Sequence, residues 1–221
     1  EYVPAPETMF EGIKKLLPGH ILICENGNVS DRTYWDLKFT VRNKQPIAFY
    51  SERIYELLKK SVERRLISEV PLGAFLSGGI DSSSIVGVMS ELMDEPVKTF
   101  SIGFEEESYN ELNYARMVAE HFETEHYEEI ITPDAVNLVN KIIHYVDEPF
   151  ADVSLFPTYL VSELARKHVI VVLSGDGGDE QFAGYDWYVA SKLDEYYRKV
   201  PVVLRNGFTK IIRRLPPSSQ K

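Results

Sequence analysis

Two stretches of this 221-residue chain combine glycines, hydroxyls and carboxylates in a pattern that could hold phosphate groups. The first is Ser77-Gly78-Gly79-Ile80-Asp81-Ser82-Ser83. It follows the apolar run Leu72-Gly73-Ala74-Phe75-Leu76 and leads into a helix-like segment over residues 82–93. Two adjacent glycines let the backbone turn sharply and aim successive N–H groups at one anion. Ser77, Ser82 and Ser83 add hydroxyl donors, and the start of the following helix adds partial positive charge. Such a loop suits phosphate or pyrophosphate. Asp81 narrows the chemistry, because a carboxylate beside a phosphate nest repels it unless a cation lies between, and Mg2+ is the usual one. The competing reading is a glycine turn whose Asp and Ser only cap the helix; the agreement of strand, loop, Asp-Ser pair and helix weighs against it. The chain has neither a G-x-x-x-x-G-K-S/T loop nor a G-x-G-x-x-G after a strand.

The second stretch is Ser174-Gly175-Asp176-Gly177-Gly178-Asp179-Glu180, placed in the same way after the apolar run Val169-Ile170-Val171-Val172-Leu173. Its glycines allow close backbone approach to a ligand. Its three carboxylates repel one another unless they are solvated or bound to metal. A short acidic loop is often just an exposed turn; the presence of the first loop favours the ligand reading. The spacing does not match the twelve-residue Ca2+ loop of an EF-hand.

The elements that must position these loops can be read from periodicity. Residues 1–45 carry strand-like runs, with Glu25-Asn26-Gly27-Asn28 as a hairpin signal after His20-Ile21-Leu22-Ile23-Cys24. From Pro46 the pattern turns helical through Ile47, Ile54, Leu57, Leu58, Val62 and Leu66. Strands are expected over 72–76, 97–104, 125–131 and 169–173, and helices over 82–93, 110–122 and 154–167. Thr132-Pro133-Asp134 starts a further helix with Val136, Val139, Ile143 and Val146 on one face. Apolar strands alternating with helices predict an α/β fold, an open parallel sheet with helices on both faces, preceded by a short β-rich remnant.

The formal net charge of −10 disfavours non-specific nucleic-acid binding, which needs clustered Lys and Arg. No apolar run is long enough for a membrane helix, and the start does not resemble a signal peptide. One cysteine, Cys24, rules out an intrachain disulfide, fits a reducing cytoplasm and is expected as a packed thiol. His20, His121, His126, His144 and His168 form no ligand pair at helical spacing. The aromatic run Tyr185, Trp187, Tyr188, Tyr196, Tyr197 could stack a base; helical core packing or an interdomain surface is the favoured expectation. Glu105-Glu106-Glu107 reads as a solvated loop.

The two loops together resemble the synthetase domain of class B asparagine synthetases, members of the ATP-pyrophosphatase group that also holds β-lactam synthetase and GMP synthetase. Thr99-Phe100-Ser101-Ile102-Gly103-Phe104, Asp147-Glu148-Pro149-Phe150 and Gly184-Tyr185 add to the likeness. Leu17-Pro18-Gly19-His20 and Tyr34-Trp35-Asp36 resemble the tail of the family's N-terminal glutaminase domain. The resemblance implies residues 1–39 as that tail, 40–47 as a linker, and 48–221 as an ATP-binding synthetase domain truncated at its C-terminus. It implies ATP and Mg2+, with aspartate and ammonia or glutamine as substrates and a glutaminase domain in cis; a homodimer is among the assemblies it allows. Ser77, Gly78, Gly79, Asp81, Ser82 and Ser83 would hold pyrophosphate, and Leu76, Ile102, Ser174 and Gly175 would contact adenosine. Asp81 and Asp179 would face the metal. Asp176, where many members carry glutamate, would share the catalytic role with Asp81. Glu180 and Glu111 are candidate substrate contacts, with Asn110 the alternative to Glu111. Two other readings stay open: a related adenylating amidotransferase or cyclase with a different carboxylate, and a non-catalytic nucleotide-binding module.

Overall fold

A computed structural model describes residues 3–39, 44–104, 111–131, 135–149, 151–202 and 205, without the side chains of 135–137. The expectations for Thr132-Pro133-Asp134, Asn110, Phe150 and Glu105-Glu106-Glu107 lie outside the described residues, as do residues 40–43 of the expected linker. By internal contacts the chain forms two compact units, Glu1–Ser174 and Gly175–Lys221.

The first unit begins with a hairpin of β1 (His20–Glu25) and β2 (Asn28–Thr33), paired antiparallel. Asn26 and Gly27 close it with φ of 50° and 77°. Both angles are left-handed, which is what a two-residue turn matched to strand twist requires and why Asn-Gly marks it. Cys24 is exposed rather than packed. The strands offer one narrow ribbon, and every residue of β2 is exposed, so the thiol has no apolar layer to enter.

There follow α1 (Ile47–Arg65), β3 (Leu72–Phe75), α2 (Ile80–Leu92), β4 (Lys98–Phe104), α3 (Leu112–His121) and β5 (Glu125–Ile131). Then come α4 (Ala135–Ile142), a 3₁₀ turn (Ile143–Tyr145), α5 (Leu155–Arg166) and β6 (Val171–Leu173). The sheet order is β5-β4-β3-β6, and all three pairings are parallel. Alternate strand residues face opposite sides, and the two core clusters sort accordingly. Ala74, Leu76 and Leu173 join Val62 of α1, Val86 and Met89 of α2, and Ala115 of α3. Phe75, Phe100, Ile102 and Val172 join Val161, Leu164 and Ala165 of α5. Helices therefore cover both faces. Phe100 anchors the second cluster, fully buried and stacked on Tyr127 with centroids 5.5 Å apart. Burying one such side chain stabilises by roughly 1.5–3 kcal/mol.

Two sequence expectations change. The run 169–173 is not uniformly buried: β6 is an edge strand of the sheet, Ile170 and Val171 are exposed, and Leu173 is buried. On α4 the buried face is Leu138 and Ile142, whereas Val139 and Ile143 are exposed and Val146 lies beyond the helix in extended backbone. Both series satisfy helical spacing, and periodicity alone cannot say which edge of a broad apolar stripe turns inward.

Before the hairpin, the segment from Val3 to Lys15 is tied to the loop after the 3₁₀ turn. Lys15 Nζ pairs with Glu148, and the Met9 amide donates to Glu148 Oε2 at 3.1 Å. Lys15 Nζ also donates to Val3 O at 2.8 Å. The ammonium first, then the amide, holds the Glu148 carboxyl below its usual range. A group with a depressed folded pKa contributes stability above its unfolded pKa and loses it as pH falls through the folded value. Lys15→Met is therefore expected to speed amide exchange at Met9 and proteolysis within residues 3–15 at neutral pH. The difference from wild type should shrink on acidification. Equal rates in both proteins at neutral pH would remove this tie.

The second unit holds α6 (Gly178–Phe182) and α7 (Asp186–Arg198). No residue of α7 is buried, so its aromatic run is not helical core.

Candidate phosphate and nucleotide site

β3 delivers the chain into the first loop with its exit fixed. The Leu76 amide donates to Phe100 O at 2.9 Å, and Ser101 Oγ donates to the Leu76 carbonyl. Gly78 has φ +83°, and a Cβ there would lie 2.5 Å from Tyr114 C and 2.6 Å from Ala115 N. The loop thus rests directly on the first turn of α3. Gly79 is ordinary extended backbone, φ −69° and ψ 161°, and caps α2.

The serines close a ring. The Gly79 amide donates to Ser77 Oγ at 3.2 Å, Ser77 and Ser82 hydroxyls are 2.9 Å apart, and Ser82 Oγ donates to Gly79 O at 3.2 Å. Ser82 Oγ also accepts from the Ser77 amide at 3.2 Å. These two hydroxyls fix the loop's shape. Ser83 Oγ is different: it is buried with no hydrogen-bond partner among the described residues. An orphaned hydroxyl, together with first-turn amides that lack intrahelical partners, suits an anion seated on the loop. Asp81 stands in the first turn of α2 beside them.

α3 is itself held to β5. Arg116 Nε and Nη2 reach the two oxygens of Glu128 at 2.8 and 2.6 Å, which lowers the Glu128 pKa. On the same strand, burial pushes the His126 imidazole pKa down, and its Nδ1 lies 2.8 Å from Thr99 Oγ1.

A cleft of about 240 Å³ opens beside the loop. Leu76, Ser77, Ile102 and Glu111, all singled out from the sequence, line it together. Leu76 is only 2% exposed, so packing is its main work. Ser101, Leu112 and Ala115 line the cleft too, as do Pro157, Thr158 and Val161 of α5. No local pattern signals the α5 wall; its residues are ordinary amphipathic-helix types brought in by the packing of α5 on the sheet.

β6 runs parallel beside β3, with Ala74 opposite Leu173, so Ser174 leaves the sheet at the same edge as the first loop. Within the second unit, Gly177 is left-handed at φ +90°. Asp179 and Glu180 lie in α6, and the Tyr185 hydroxyl donates to Glu180 Oε1 at 2.7 Å. That bond lowers the Glu180 pKa and pushes the Tyr185 phenol up to about 12. It therefore persists through neutral pH, being lost on the acid side as Glu180 protonates and on the alkaline side near pH 12.

Among the described residues, no three His, Cys, Asp or Glu side chains are grouped to hold a metal by themselves. A Mg2+ ion at this loop would need substrate phosphate oxygens to complete its coordination, which is the usual habit of Mg2+. Among the described residues, no helix is long and apolar enough to cross a membrane.

The parallel sheet, with a glycine-rich loop and an apolar cleft at the carboxyl ends of its strands, defines an open-sheet α/β protein, a class whose ligands bind at the strand ends. The chain belongs to the asparagine synthase family, whose sequence model matches residues 53–219. It is 42% identical over 211 residues to a Methanocaldococcus jannaschii protein provisionally named asparagine synthetase (glutamine-hydrolyzing) 2, covering 92% of this chain and 40% of that one. It is 34% identical to asparagine synthetase (glutamine-hydrolyzing) 1 of Bacillus subtilis, covering 98% of this chain and 34% of that one. An amidase, chry2, of Gibberella zeae is 30% identical, covering 89% of this chain and 32% of that one. The chain thus spans 40% or less of the length of these relatives.

Proposed function

We propose that this chain is the ATP-binding part of a glutamine-dependent asparagine synthetase, working in the cytoplasm. The observation that carries the proposal is the Ser77–Ser83 loop: a left-handed Gly78 pressed on α3, an orphaned Ser83 hydroxyl and Asp81 in one turn. Family membership and the names of the relatives support it.

In this reading the α2 amides and Ser83 bind the β- and γ-phosphates of ATP, and the apolar cleft lined by Leu76 and Ile102 takes the flat adenine ring. Asp81 and Asp179 would hold Mg2+, which when bound neutralises charge on the leaving pyrophosphate. The side-chain carboxylate of aspartate attacks the α-phosphorus, pyrophosphate departs, and an aspartyl adenylate forms. Asp176 would share the catalytic role with Asp81 at this step. Ammonia, released from glutamine by a glutaminase domain in cis, attacks the acyl carbon; AMP leaves and ammonia gives up a proton. The loop does its work by position and charge.

The test uses the full-length protein with Mg2+-ATP, ammonia and each of several carboxylates. AMP and pyrophosphate formed only with aspartate support the proposal. ADP and phosphate in their place would overturn adenylation. AMP formed with another carboxylate would favour the related-ligase reading.

A further inference from the structure

We propose that the turn Ala183-Gly184-Tyr185 is the brace that sets the directions of the Asp179 and Glu180 carboxylates, with Gly184 and Tyr185 as positioning residues; the inference rests on the synthetase reading of this segment. Neighbouring residues on a helix point roughly 100° apart, so no single contact can orient both side chains. α6 is also too short to hold them by packing, and none of its residues is buried.

The chain supplies a separate support for each. Ala183 takes the left-handed conformation, φ 58° and ψ 44°, and folds the backbone back over α6. The Gly184 amide then donates to Asp179 O at 3.1 Å. A Cβ at Gly184 would overlap Asp179 Oδ1 and lie 2.9 Å from its Cγ. The Asp179 carboxylate occupies the space that glycine leaves, so its direction depends on having no side chain at 184. The next residue supports the next carboxylate: Tyr185 Oη donates to Glu180 Oε1 at 2.7 Å. The Tyr185 ring is held in turn by Trp187, with centroids 4.4 Å apart, and by Tyr188 at 6.3 Å. Consecutive residues of one turn thus serve consecutive carboxylates. A hydrogen bond this exposed adds little to folding stability. Its specific geometry points to orientation.

The test takes full-length protein with Tyr185→Phe, which removes the hydroxyl and keeps the ring, Gly184→Ala, and Glu180→Gln. The expected result is that Tyr185→Phe and Gly184→Ala each lower kcat by about 10–100-fold, the usual loss when a group that orients a ligand side chain is removed. KM for ATP should stay near wild type in Tyr185→Phe, and the melting temperature should stay near wild type in both. Gly184→Ala should also weaken calorimetric binding of Mg2+ in the presence of ATP by a similar factor. Tyr185→Phe placed on Glu180→Gln should cost little more than Glu180→Gln alone, because Tyr185 acts through Glu180. Fully additive losses, or an unchanged kcat in both variants, would overturn the inference. A wild-type protein that forms no AMP with any carboxylate would instead sink the synthetase reading. The brace is then judged on metal-free protein: faster amide exchange over residues 178–185 in Tyr185→Phe and Gly184→Ala upholds it, and unchanged exchange overturns it.

Discussion

Gly78→Ala is expected to cost on the order of 3 kcal/mol of stability and to abolish measurable nucleotide binding, while Gly79→Ala, one residue on, should cost less than about 1 kcal/mol. The two glycines look equivalent in the sequence and are not equivalent in the fold. Gly78 has φ +83°, which for alanine costs about 1–2 kcal/mol by itself. Its new Cβ would also lie 2.5 Å from Tyr114 C and Cβ and 2.6 Å from Ala115 N. These are mostly backbone atoms of α3, and they cannot rotate out of the way. Either the loop lifts off α3 or α3 shifts, and Leu112, Ala115 and Ala119 anchor α3 in the core. The loop is the part that must give, so the amides proposed to face phosphate lose their common direction. Gly79, by contrast, is extended, and its Cβ would meet only Ser77 Oγ at 3.3 Å. Its modest capping loss is offset by the smaller entropy of the unfolded chain. Urea denaturation and calorimetry with ATP on the pair decide the matter. Similar costs for both variants would mean that the loop does not rest on α3 as described.

Asp81→Ala is expected to lower aspartate-dependent ATP–pyrophosphate exchange by at least about a hundredfold, while folding stability changes by no more than about 1 kcal/mol. The small stability term follows from position. Asp81 is in the first turn of α2, where a negative charge interacts favourably with the helix terminus, and the loop's hydrogen-bond ring runs through Ser77, Gly79 and Ser82 without it. The large activity term follows from the proposed role, since several kcal/mol of charge neutralisation at the phosphates would go with the metal. Exchange kept within about threefold of wild type, which is under 1 kcal/mol, would show that Asp81 does not serve the cation. A melting temperature that fell along with activity would show that the residue is structural instead.

Much of the local order around the candidate site is legible in the sequence. Local chemistry announces itself in local order: a strand run, two glycines, an aspartate, serines and a helix can be read because the loop is contiguous and its backbone demands are met by residue type. The Asn26-Gly27 turn was legible for the same reason. The alternation of apolar strands with helices was enough for an open parallel sheet, because strands covered on both faces and joined by helices have few other arrangements.

What the tertiary structure decided is whatever depends on which surfaces meet. Residue type put Ser77, Ser82 and Ser83 on one footing; packing made the first two a structural ring and left the Ser83 hydroxyl without a partner among the described residues. Periodicity pointed to Val139 and Ile143 as the inner face of α4, and burial took Leu138 and Ile142. The α5 wall of the cleft, the Ser101 bond to Leu76 and the contact of Gly78 with α3 join residues far apart in the chain, where no local pattern reports them. The sequence by itself determined that a loop of glycines, hydroxyls and one carboxylate joins a strand to a helix, since that pattern is complete within seven consecutive residues. Only the tertiary structure decided which of those residues shape the loop and which remain to bind, because a hydroxyl has one proton to give and the fold settles where it goes.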